Sequence, residues 1–171
     1  GRVRRQEVNL FKKLRGASAP GVVTLQCRAS EVGQTLASAS ISPTFVSGYV
    51  SPHVDIEPVA RAVTARFPGV PLMLCSTAGE LCASDESLYC RTGDSWDRVV
   101  LQCFDATLIA RSQIAAIPLG SEDMRRGNSE VSVKERVARI ARNIQSARVD
   151  VDIDYRDTLA YIMFDGLSAS E

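Results

Sequence analysis

Two short runs of small and polar residues carry the chemistry this chain offers. They are Cys75-Ser76-Thr77-Ala78-Gly79-Glu80 and Asp165-Gly166-Leu167-Ser168-Ala169-Ser170-Glu171, and each directly follows an apolar run. In α/β sheets ligands bind in the crevice outside the carboxyl ends of strands. Small side chains let a ligand approach the backbone there. Hydroxyls and amides at a helix start can hold a carboxylate or another anion. The ligand-binding candidates are therefore Ser76, Thr77, Ala78, Gly79, Glu80, Asp165, Gly166 and Ser168. The same spacing also fits a plain strand-to-helix turn whose Ser and Thr only cap.

Catalysis has a thinner basis. A nucleophile at Ser76 or Cys75 needs a base, and the single imidazole, His53, lies a helix and a strand earlier in the chain. There is no G-x-S-x-G elbow and no phosphate-cradling glycine loop with its lysine. His53 itself sits in Ser51-Pro52-His53-Val54-Asp55, between a strand and a helix cap. An axial haem ligand requires only one histidine; a loop histidine with local hydrogen bonds is the plainer reading.

Several elements must position these residues. Val22 to Cys27 reads as a strand, and so does Phe45 to Val50. Residues 28–44, rich in Ser, Ala and Gly around Ala37-Ser38-Ala39-Ser40, read as a loop or short crossing segment. Asp55 caps a helix with apolar positions Ile56, Val59, Ala60, Val63 and Phe67, and Pro68-Gly69 ends it. Pro58 falls in the first turn, where a missing N–H costs little. Pro71 to Cys75 is continuously apolar, the pattern of a strand buried on both faces. Val99 to Phe104 and Leu108 to Leu119 read as two more strands, close enough for a hairpin. Ser132 and Glu135 form a capping box for a helix with a buried stripe of Val133, Val137, Ile140, Ala141 and Ile144. A last strand spans Leu159 to Phe164. The order implies an α/β fold, a mixed β-sheet covered by helices. The closing Ser168-Ala169-Ser170-Glu171 is another capping box, so the expectation is the front piece of a longer protein.

Composition sets the outer bounds. With 171 residues, 45% hydrophobic and 23% charged, the chain is an ordinary globular one. Its 20 basic and 20 acidic residues argue against wholesale nucleic-acid binding. Residues 1–15 carry six cations against Glu7, a net +5, so the rest carries −5. Residues 1–18 thus read as a basic helix or arm that a membrane surface or partner could use, with the domain over 19–171. The five cysteines are odd in number and lack C-x-x-C spacing, which indicates reduced thiols rather than a disulfide framework or a zinc site. No apolar run is long enough for a membrane span and no signal core is present; the expectation is a cytoplasmic chain.

The run Val70-Pro71-Leu72-Met73-Leu74-Cys75-Ser76-Thr77-Ala78-Gly79-Glu80-Leu81 resembles the hallmark stretch of the FIST domain, N-terminal half. Asp165-Gly166-Leu167-Ser168-Ala169-Ser170-Glu171 is similar to that family's D-G-L-S-x-x-E run, and Asp55 to Pro68 to its connecting helix. Leu74 stands where a glycine is common. The resemblance implies a non-catalytic sensory input domain of bacterial signal transduction that binds a small ligand such as an amino acid. It implies a partner histidine kinase, chemoreceptor or cyclic-di-GMP enzyme. Some members resemble haem-binding nitric-oxide sensors, which makes haem the candidate cofactor and His53 its candidate axial ligand. The alternatives are a small-molecule hydrolase or transferase using the Ser76-Thr77 turn, and a non-catalytic interaction scaffold.

Overall fold

The computed structural model describes residues 21–77, 95–119, 131–151 and 153–163. The basic arm, Ala78 to Glu80 and the Asp165 to Glu171 run lie outside the described residues. The chain divides into two compact units, one through Ser112 and one from Gln113.

The described residues of the first unit contain four strands, β1 (Val22–Arg28), β2 (Phe45–Val50), β3 (Leu72–Ser76) and β4 (Arg98–Phe104). They form one sheet in the order β1-β4-β2-β3. β4 is antiparallel to both β1 and β2, whereas β2 and β3 are parallel. The sheet is therefore mixed, and the fold is α/β as the element order implies. Strands β1, β2 and β4 fall where the strand-forming runs place them.

Two helices cover one face. Helix α1 (Val32–Ser38) follows a short 3-10 turn (Ala29–Glu31), and α2 (Ile56–Arg66) links β2 to β3. Register puts Cys27, Val99 and Val50 in one row across β1, β4 and β2, and Leu25, Leu101, Gly48 and Leu74 in the next. These rows meet Val32 and Leu36 of α1 and Val59, Val63 and Phe67 of α2 in the core. The end of α1 is stapled to α2. Arg66 donates from Nε to the Leu36 carbonyl at 3.2 Å and from Nη2 to the Ala39 carbonyl at 3.3 Å. Its guanidinium also lies 4.9 Å from the centre of the Phe67 ring, a cation–π contact.

Helix α2 starts where its cap predicts. The Asp55 carboxylate accepts from the Glu57 amide at 3.1 Å, and Gly69, at φ +77°, makes the left-handed turn beyond its end. Asp55→Ala should cost roughly 1 kcal/mol, read as a lowered urea midpoint. Asp55→Asn should lose only a fraction of that, because its amide oxygen still caps.

Four expectations are corrected. Residues 29–38 are helical rather than a loop, because Val32 and Leu36, four apart, both turn into the core. β3 is an edge strand and only half-buried, since its second edge meets no strand among the described residues. Residues Leu108 to Leu119 form no strand. The Asp105 carboxylate accepts from the Thr107 amide at 2.8 Å and its hydroxyl at 2.6 Å, and the Leu108 and Ile109 amides bond back to the Asp105 carbonyl. This Asx turn folds the chain back against Thr44, whose hydroxyl donates to the Ile109 carbonyl. Residues 159–163 are likewise not a strand, and Leu159 is 88% exposed.

The second unit contains helix α3 (Val133–Ser146), opened by the reciprocal Ser132–Glu135 capping box. That box holds the Glu135 carboxyl below its usual range, chiefly through the Ser132 hydroxyl. The expected buried stripe is not buried: Val133 is 69% exposed, Val137 and Ile144 are also exposed, and Arg136 is the buried residue of the helix. A helical stripe is buried only when another element faces it, and the described residues of this unit include no other helix or strand.

Candidate functional site

Parallel pairing of β2 and β3 brings the predicted Ser and Thr to one end of the sheet. Val50 lies beside Ser76 in register, and the Thr77 amide donates to the Val50 carbonyl at 3.0 Å. Ser76 is exposed and Thr77 half-buried. The turn after β2, Ser51 to Asp55, therefore emerges next to Ser76 and Thr77, and His53 is exposed on that turn. The structure thus unites Ser76, Thr77 and the His53 turn at the carboxyl ends of two parallel strands.

The start of β4 closes the same end. The buried Ser51 exchanges bonds with Arg98: its amide donates to the Arg98 carbonyl at 2.9 Å, and its hydroxyl accepts from the Arg98 amide at 3.2 Å. Asp97 accepts from the Ala29 amide at 2.8 Å through its carbonyl and from the Ser95 hydroxyl at 2.9 Å through its carboxylate. Between them Trp96, the chain's only tryptophan, has φ +44°. That region is strained for a bulky residue. No periodicity marks Ser51, because it is set by the contact between the end of β2 and the start of β4.

The start of α2 is a poor anion site. Asp55 already occupies the Glu57 amide, Pro58 has no N–H to offer, and two carboxylates, Asp55 and Glu57, stand at the mouth. Like charge and lost donors together oppose the helix-terminus effect. Ser76 and Thr77 bring hydroxyls to this end that the Asp55 cap does not use.

The described cysteines, Cys27, Cys75 and Cys103, are free thiols. Burial raises all three above their usual value, and Cys103 to about 11. They are protonated at neutral pH and make weak nucleophiles. Among the described residues no group of three or more His, Cys, Asp or Glu is arranged to hold a metal ion. A haem would need apolar walls around its axial ligand. His53 is exposed, between exposed Pro52 and half-buried Val54, so the described residues around it do not by themselves fit a porphyrin. Among the described residues no helix is long and apolar enough to cross a membrane.

The described residues thus define a mixed α/β sheet whose two parallel strands end side by side at Val50 and Ser76. The model of the FIST N domain matches residues 44–171. The chain belongs to that family, whose members are sensory domains of signal transduction. Searches of curated proteins and of solved structures found no match.

Proposed function

We propose that this chain is the ligand-binding input of a bacterial signalling system, taking a small, amino-acid-like molecule over the carboxyl ends of β2 and β3. The observation that carries the reading is the β2–β3 register, which sets Ser76 and Thr77 beside the Ser51–Asp55 turn. Ser76 and Thr77 supply hydroxyls to that ligand, and Ala78, Gly79 and Glu80 follow them directly in the chain. Occupancy changes how the domain meets a partner histidine kinase, chemoreceptor or cyclic-di-GMP enzyme in the cytoplasm. Family membership supports a sensory rather than a catalytic role.

A thermal-shift screen with the free amino acids tests this. A ligand at a hundred times its Kd stabilises the folded state by about 2.7 kcal/mol, a rise in Tm of roughly 5–10 °C at this size. The rise should vanish in a Ser76→Ala/Thr77→Val variant that is otherwise stable. A shift unchanged in that variant places the ligand elsewhere. The haem reading rests on His53 alone, and a visible spectrum decides it. A Soret band after haem loading that is lost in His53→Ala supports ligation. A band that persists in the variant ends it.

A further inference from the structure

The opposite end of the same sheet carries a groove. It is open, has a volume of about 730 Å³ and is lined by Gly21 to Val23, Ala37 to Ser42, Arg66 and Asp105. It belongs wholly to the first unit. Its size lies within the 300–1,000 Å³ of small-molecule sites and equals the liquid volume of roughly two dozen waters. That is far more room than one amino acid fills. Small residues, Gly21, Ala37, Ala39, Ser40 and Ser42, make up much of its wall.

Among the described residues the groove has one cation and one anion, each held by hydrogen bonds. Arg66 is anchored by the Leu36 and Ala39 carbonyls and by the Phe67 ring. Those bonds use two of the five N–H donors of a guanidinium, so an oriented fork remains for a carboxylate. Asp105 is held through one oxygen by Thr107, and the second oxygen is not used in those bonds. Its carboxyl lies below the usual range, first because of the Thr107 hydroxyl and then its amide. Arg66 ends α2 and Asp105 follows β4, with the start of β1 and the Ser40–Ser42 loop lining the space along with them. A ligand that satisfies both charges carries a carboxylate and an ammonium group.

We propose that this groove binds a short peptide, with the C-terminal carboxylate on Arg66, the N-terminal ammonium on Asp105, and the peptide groups on the Ser40 and Ser42 hydroxyls. The site is independent of the one at Ser76 and Thr77.

Isothermal titration with tri-alanine, and with its N-acetylated and C-amidated forms, tests the proposal on the full chain. Tri-alanine should bind, and N-acetylation should weaken it at least tenfold. Asp105→Asn, which keeps an oxygen for Thr107, should weaken it as much, and acetylation should then cost nothing further. C-amidation should pair with Arg66→Gln in the same way. Because Arg66 also staples α1, the Asp105 arm stands alone if the Arg66 variant unfolds. No binding at millimolar peptide overturns the proposal. So does binding indifferent to both end groups, or losses from acetylation and Asp105→Asn that simply add. The Ser76→Ala/Thr77→Val variant should bind tri-alanine normally, so failure of either site leaves the other testable.

Discussion

Replacing Leu36 with alanine should cost about 2–5 kcal/mol of folding stability, the range for a fully buried leucine. Leu36 is 1% exposed and lies in the cluster that joins α1, α2 and the sheet. The upper part of the range applies because the site cannot collapse easily. Arg66 holds the Leu36 carbonyl itself, and the Ala39 carbonyl just beyond, so the backbone of α1 is pinned to α2 while the side chain is removed. A cavity then persists, and the cost grows with its volume. For a domain stable by 5–15 kcal/mol this is a large fraction. Urea unfolding measures it directly, and Leu36→Met, which conserves volume, should lose less than about 1.5 kcal/mol. A loss below 1 kcal/mol for Leu36→Ala would mean that α1 does not pack on this sheet.

Leu36 also marks where sequence patterning fails. Helix α1 presents two core residues, Val32 and Leu36, within a stretch otherwise made of Gly, Gln, Thr, Ala and Ser. One apolar pair four residues apart is too short a period to separate from chance, and the helix is fixed by burial of that pair in the core, with the distant Arg66 holding its end. By contrast, α2 is written locally, with a capping Asp55, a stripe at helical spacing and a terminating Gly69. β1, β2 and β4 are legible too, as short runs rich in strand-forming residues. β3 shows a different limit. Its apolar run is legible as a strand, but whether a strand is central or at an edge depends on pairing, which is not a local property. Asp105 and Thr107 redirect the chain after β4, and that turn outweighs the apolar residues from Leu108 onward. In the candidate site, Ser76 and Thr77 are legible from their place after an apolar run. Ser51 and Arg66 are not, since each is bonded to an element far away in sequence.

Gly48→Val should destabilise the domain by about 3 kcal/mol or more, at the top of the range for overpacking a core. Local preference predicts the opposite sign. Valine is favoured in strands, and glycine in a strand interior is worth roughly 0.5–1 kcal/mol less than alanine. Sterics decide. Gly48 lies on β2 between Leu101 of β4 and Leu74 of β3. A Cβ there would press into the Leu74 side chain and lie 2.7 Å from a Leu101 methyl. Leu101 is 1% exposed and has nowhere to move. The yielding neighbour is Leu74, half-buried on the edge strand, so strain should be relieved by displacing β3. That couples stability to function, because β3 ends at Ser76 and Thr77. The variant should therefore lose both urea resistance and any ligand-induced rise in Tm. A second substitution, Leu74→Ala, tests the cause. Alone it should destabilise, but in the Gly48→Val background it should cost less or restore stability, giving a coupling energy of about 0.5–3 kcal/mol for groups in contact. Strict additivity would show that the glycine is there for another reason than room for the two leucines.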